Sequence, residues 1–312
     1  MAIDIQRVTS QKKENTALLG KVHYSPLKSA WMSVMYTAAI VGGVMTFSLE
    51  ALLVFLITSA ITLCLGHSLG MHRRLIHNSY NCPQWMEYVF VYLGVLVGLA
   101  GPLGMMKTHD LRDWAQRQTQ CHDYFAHRSG MLRDWFWQLH CDIKLTYPPT
   151  FEPEPHIKDD KFYHFVEKYW MWQQLPLVIL LGFMGGISWV IWGVCVRVAL
   201  SITGHWLVGY FAHNQGDKHW HVEGAAVQGH NVKHLGLITM GECWHNNHHA
   251  FPSSPCFGFA QKQFDVGWLF IKGMQQLGQV YDLKAIPDAR RRQFRSSYQL
   301  QPSSQVLQSP TR

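Results

Sequence analysis

Three imidazoles within five residues, in His245-Asn246-Asn247-His248-His249, are the densest chemistry in the sequence. At about 100° per residue, positions i, i+3 and i+4 share one helical face, so the three rings converge on one side. Imidazole is the commonest protein ligand for transition metals, and such a face can serve one ion or bridge two. As ordinary core residues the three would leave six ring nitrogens to satisfy in one small volume.

Two further segments offer the same chemistry. His72 and His77 lie five residues apart in Gly70-Met71-His72-Arg73-Arg74-Leu75-Ile76-His77. On a regular α-helix they would point about 140° apart, which suits two neighbouring ions better than one. His109-Asp110-Leu111-Arg112-Asp113 repeats the i, i+3, i+4 spacing, with Arg112 and Asp113 where more imidazoles would be expected. His109 is a ligand candidate and Asp113 a further one, since carboxylates also bind iron. Arg112 stays protonated and cannot ligate. An Arg112–Asp113 ion pair that orients a neighbouring ligand is an equally simple reading of those two residues. His213 is another candidate, with His205 eight residues earlier and about 80° round a helix from it. His122, His127, His140, His219, His221, His230 and His234 have no ligand-like spacing, and supporting or surface roles are expected of them.

The elements that must position these side chains are largely apolar. Of 312 residues, 48% are hydrophobic and 15% charged, against a usual charged share of about 25%, which excludes a disordered or low-complexity chain. The mean hydropathy of −0.06 excludes a purely embedded channel or transporter. Seven scattered cysteines without a C-x-x-C pair indicate neither a disulfide framework nor a zinc ribbon. Much of the net charge of +7 sits near the ends, at Lys12, Lys13, Lys21, Lys28 and Arg290, Arg291, Arg292, a pattern of membrane orientation rather than of nucleic-acid binding.

From Ala30 to Gly66 the only charge is Glu50. As one helix this run would be about 55 Å long, too much for a hydrocarbon core of about 30 Å. Two spans are expected, at about 30–47 and 49–66, and a second pair at about 169–185 and 187–208, broken at Gly185-Gly186. Arg197, inside the last of them, should be buried and partnered. Trp85 to Met106, which contains Glu87 and Pro102, reads as an interfacial or protein-buried helix, because a fifth crossing would separate the histidines before and after it. The basic N-terminal segment and the hairpin turns without Lys or Arg put both termini on the cytoplasmic side. The expected fold is therefore an all-α membrane protein, with four transmembrane helices in two hairpins and a cytoplasmic helical cap holding a histidine-rich metal centre. Residues 1–28 read as a cytoplasmic tail, 29–287 as one membrane domain, and 288–312 as a disordered tail.

Between Ser29 and Pro287 the sequence resembles the integral-membrane fatty acid desaturases, especially the delta-9 acyl-lipid and acyl-CoA type. The stretches that carry the likeness are Gly70-Met71-His72 to His77, Trp189 to Arg197, Gly241-Glu242-Cys243-Trp244-His245 to Pro252, and Gln263-Phe264-Asp265-Val266-Gly267-Trp268. The resemblance implies a di-iron centre ligated almost wholly by histidine, with the first box on His72 and His77 and the last on His245, His248 and His249. It adds His109 from the middle box and His213 after the last span. Two middle-box imidazoles are replaced by Arg112 and Asp113, and the family's water-holding asparagine by Gly209, so seven of nine histidines remain. The implied activity is oxygen-dependent insertion of a double bond into an acyl-lipid or acyl-CoA chain. With no haem-binding module or nucleotide-binding glycine loop visible, the electron donor would be external, of the ferredoxin or cytochrome b5 type. A related non-haem iron hydroxylase or oxidase with altered ligation, or a catalytically silent lipid-binding homologue, are the alternatives that the replaced residues leave open.

Overall fold

The computed structural model describes residues 7–10 and 17–286. The expected 288–312 tail lies outside the described residues. The protein is mostly helical. Helix α1, Pro26–Thr37, opens on a proline in its first turn and is prolonged by Ala38–Gly42 and Gly43–Met45. Helix α2, Leu49–Ile76, starts where the Ser48 hydroxyl accepts the Ala51 N–H and Glu50 stands in the positive first turn. Helices α3, Gln84–Leu96, and α4, Pro102–Gln116, follow, then α5, Met131–His140, and α6, Lys161–Lys168. The long α7, Trp170–Asn214, is broken where Gly186 takes φ 68°, a conformation open to glycine, which confirms the break expected there. The short α8, His245–Ala250, and α9, Val266–Gln276, follow, and single helical turns lie at Asp123–Ala126 and Pro155–Lys158.

Among the described residues, α2 and α7 are long and apolar enough to cross a membrane. Helix α3 is not one of these, and buries Met86, Glu87, Phe90, Val91 and Val95. Trp85 and Val89, on the same helix, are exposed. The backbone of α3 touches that of α2: a Cβ on Gly66 would lie 2.4 Å from the Gly94 nitrogen, and one on Gly70 2.6 Å from the Phe90 carbonyl carbon. Only glycine permits this approach, which fixes the height of His72 relative to the other elements. Met71, Leu75 and Ile76 of α2, Val91 and Val95 of α3, Met105 and Met106 of α4 and Tyr163 and Val166 of α6 then close one core. Arg197 is fully buried, donating to the carbonyls of Gly193 and Leu96 and to Gln174 Oε1, as expected of a charge inside an apolar helix.

Two features add to the expected picture. Two small ladders stand beside the helices: β2, Gly20–Tyr24, pairs antiparallel with β3, Cys141–Leu145, with Val22 opposite Ile143, and β1, Val8–Thr9, pairs with β4, Thr150–Phe151. Described residues among the first 28 also pack on the rest of the chain. Arg7 is 4% exposed and donates to the Leu75 and Ile76 carbonyls at the end of α2, while pairing with Asp110 at 3.0 Å and Glu154 at 2.7 Å. The sequence reading missed it because a lone basic residue near a terminus looks solvated when its partners lie more than a hundred residues away.

Candidate metal centre

Seven histidines from four helices gather into two groups, in each of which one nitrogen per ring lies within 4.8 Å of the others. The first group comprises His72 and His77 at the end of α2, His109 on α4 and His248 on α8. His72 Nε2 stands 3.2 Å from both His109 Nε2 and His248 Nε2. The second comprises His213 near the end of α7 with His245 and His249 on α8. Its Nε2 atoms are 3.2 Å apart between His213 and His245 and 2.9 Å apart between His245 and His249. Every histidine singled out as a ligand candidate is thus in one group or the other, and α8 serves both.

The expectation that His72 and His77 face different ions is overturned. From Thr62 to Ile76 helix α2 is wound as a π-helix, and the His77 N–H bonds the His72 carbonyl at 3.0 Å. An i→i+5 winding brings residues five apart nearly over one another, so the two rings lie 4.9 Å apart in the same group.

Each group is held by surrounding residues. His72 Nδ1 donates to Glu242 Oε2 at 2.5 Å, which fixes the tautomer and leaves Nε2 as a lone pair facing the group. Burial alone would raise the Glu242 carboxyl, but His72 and Arg73 beside it hold it far below the usual carboxylate range. Arg73 is fully buried, joins Glu242 at 3.0 Å to Asp265 at 2.9 Å, donates to the Pro255 carbonyl, and lies 3.9 Å over the Phe257 ring. Helix α8 is pinned by the two residues between its histidines: Asn246 Oδ1 accepts from the His219 and Trp220 N–H groups, and Asn247 Nδ2 donates to the Phe257 carbonyl. Sequence reasoning passed over both asparagines, although their place between the ligands was the available signal.

Protons are disfavoured on most of these rings, although against the downward push of burial Asp113 and Asp110 raise His109. A neutral imidazole offers one N–H and one lone pair, so facing Nε2 atoms cannot all satisfy one another. Burial, reinforced by neighbouring rings, pushes His245 and His248 well below the ordinary histidine value, and burial pushes His249 down to about 4. His77 Nε2 is buried with no hydrogen-bond partner. Converging uncharged nitrogen donors fit a borderline transition-metal ion.

The altered middle segment behaves differently from either sequence reading. Asp113 lies outside both groups. Against the upward push of burial, His109, His249 and Arg117 hold its carboxyl below the ordinary value. Arg112 makes no ion pair with Asp113 among those the structure contains. It donates instead to His127 Nε2 at 2.5 Å and to Gln138 Oε1 at 2.7 Å. His127 Nδ1 in turn donates to Asp134 Oδ2 at 2.8 Å, so both of its nitrogens are engaged, and its ring only stacks on His213 at 5.6 Å. Burial and then the Arg112 charge push His127 down to about 4. His127 is also what fills the space beside Gly209, where a Cβ would lie 3.3 Å from its Nε2. His122 accepts the Tyr124 N–H as a helix cap, and His205 faces His67 at 5.0 Å rather than either group.

Arg112→Met should therefore act on stability rather than on metal content. It leaves His127 Nε2 and Gln138 Oε1 without their donor, at a cost of about 1–3 kcal/mol. Thermal melting in detergent together with metal analysis would check this, and loss of metal at unchanged melting temperature would contradict it.

Nitrogen-rich paired groups at the end of long apolar helices define a class of membrane metalloprotein, and comparison with known proteins identifies it. The fatty acid desaturase model matches residues 29–263, and the chain belongs to that family. It is 31% identical to the sn-1 stearoyl-lipid 9-desaturase of Anabaena variabilis over 243 residues, 76% of this chain and 85% of the relative. It is 30% identical to delta-9 acyl-lipid desaturase 2 of Arabidopsis thaliana, over 74% of each chain. With the acyl-CoA C20 delta5-desaturase of Anemone leveillei it shares 28% identity over 80% of this chain and 78% of the relative. The protein is thus an oxidoreductase of the membrane non-haem iron type, and its two histidine groups are compatible with a di-iron site.

Proposed function

We propose that this protein inserts a double bond into a fatty acyl chain carried by a lipid or by coenzyme A, using two iron ions held by His72, His77, His109 and His248 and by His213, His245 and His249. The observation that carries the reading is the pair of nitrogen groups bridged by α8. When bound, iron supplies with oxygen the oxidising power needed to attack an unactivated C–H bond. Two adjacent carbons each lose a hydrogen, and one O₂ with two electrons and two protons becomes two waters. The electrons come from an external donor of the ferredoxin or cytochrome b5 type.

The residues of this chain orient and protect. Glu242, held ionised by Arg73, keeps the His72 lone pair turned inward. Asp110, anchored by Arg7, lies 3.4 Å from His109 Nδ1 and favours the same tautomer there. At about 1.5 Å per residue the first 18 residues of α2 cover most of a hydrocarbon core, which supports a site just beyond it with His72 and His77. We read four spans, α1 with its prolongation, the first part of α2, and the two arms of α7 either side of Gly186, with both termini and the centre on the cytoplasmic side. The membrane domain is read as 29–287.

Expression in a host lacking the relevant double bond, with iron and reductant supplied, should yield new unsaturated acyl chains by gas chromatography and mass spectrometry. Hydroxylated chains would favour the hydroxylase reading that the Arg112 and Gly209 replacements motivate. An unchanged profile from iron-loaded protein would refute both and leave a lipid-binding homologue.

A further inference from the structure

The second histidine group has three imidazoles where the first has four, and the positions from which α4 would have added more hold Arg112, which turns away, and Asp113, which stands outside the group. One turn further along the same face of α4 is Gln116, at i+7 from His109 and i+3 from Asp113. Its side chain is 1% exposed. Its Nε2 donates to the Phe125 carbonyl at 2.7 Å and stands 3.2 Å from His213 Nε2, the atom that His213 turns toward its group. Its Oε1 is buried and has no hydrogen-bond partner.

Buried amide oxygens are nearly always satisfied, and leaving one without a partner is costly. Ligands about 2.1 Å from one ion sit roughly 3–3.5 Å from one another in tetrahedral coordination. The amide of Gln116 is at that spacing from His213 Nε2, the same as between His213 and His245. We infer that Gln116 is the fourth donor of the second metal position, its Oε1 completing a neutral set with His213, His245 and His249. Exchanging the two ends of the amide presents oxygen rather than N–H toward a cation and gives up the bond to the Phe125 carbonyl for the bond to the metal. Helix α4 then serves both positions, His109 the first and Gln116 the second, as α8 does with His248 and with His245 and His249. This rests on the metal-binding reading above and adds an oxygen ligand to it.

The test is cobalt(II) titration of the metal-free full-length protein in detergent, read by visible absorption and by metal per chain after desalting. Wild type should take up two ions. Gln116→Met, which keeps the buried volume but removes the donor, should retain the first ion and weaken the second by roughly 10–100-fold, the range for disturbing a ligand shell. Gln116→Glu should keep both, with altered absorption of the second. Two ions at wild-type affinity and with an unchanged spectrum in Gln116→Met would overturn the inference while leaving the metal centre intact. Loss of both ions in Gln116→Met and in Gln116→Glu would also overturn it, because a structural role would then explain the residue. Wild type that binds no cobalt or iron would refute the metal reading itself.

Discussion

His248→Ala should leave the protein folded but without detectable acyl-chain oxidation and with the first metal position emptied. His248 is the one residue of α8 that reaches the first group, its Nε2 3.2 Å from that of His72, and its side chain is 2% exposed, so no water or neighbouring imidazole stands ready to replace it. Disturbing a residue that merely supports a ligand costs about 10–100-fold in metal affinity, and removing the ligand itself should exceed the upper end of that range. His249→Ala should spare the first position and empty the second, because it belongs to the second group, its Nε2 2.9 Å from that of His245. Iron per chain after desalting, measured beside product formation, separates the two cases. If both variants keep two irons and full turnover, the ligand assignment is wrong.

Arg73 should be the most damaging position outside the ligands. Its guanidinium has no exposure to solvent and is shared between Glu242 and Asp265, with the Asp265 pair made through two contacts at 2.9 and 3.0 Å. Arg73→Met leaves Asp265 without its cation and Glu242 with only His72 and Ser68 as side-chain partners, and breaking a buried pair from one side costs about 3–5 kcal/mol. We expect the variant to accumulate poorly and to melt many degrees lower. It should also lose iron, because an unsupported Glu242 no longer holds His72 in the required tautomer. Arg73→Lys should rescue little, since a single ammonium cannot match a planar fork. The double variant Arg73→Met, Asp265→Leu should recover part of the melting temperature by removing one stranded charge. No recovery would show that packing over Phe257, rather than charge pairing, is what Arg73 provides.

The chemistry was more legible in the sequence than its geometry. His245, His248 and His249 announce themselves by spacing, and the apolar runs flanking Gly186 are visible as composition. His72 and His77 were assigned to different ions because spacing was converted to angle with the α-helical period. A π-helix over fifteen residues has no signature in hydrophobic patterning. Arg112, His127 and Asp134 could not be joined in advance, since a hydrogen-bonded chain between a helix and the loop after it depends on how that loop returns. Gln116 was invisible for a simpler reason. A lone amide has no motif, and it becomes informative only once its oxygen is seen to be buried without a donor. The strands were missed because β1 and β2 find their partners more than a hundred residues later.

The contact between Arg7 and Glu154 sets an order of events during synthesis. Arg7 leaves the ribosome 147 residues ahead of the carboxylate that clamps it. At about 5–20 residues per second that is a delay of roughly 7–30 s. Leu75 and Ile76 are made about half-way through it, and the end of α2 carrying His72 and His77 then waits for the carboxylate that completes the clamp on the chain's beginning. His72 and His77 are therefore made well before Asp110 and then Glu154 arrive to complete the grip on Arg7.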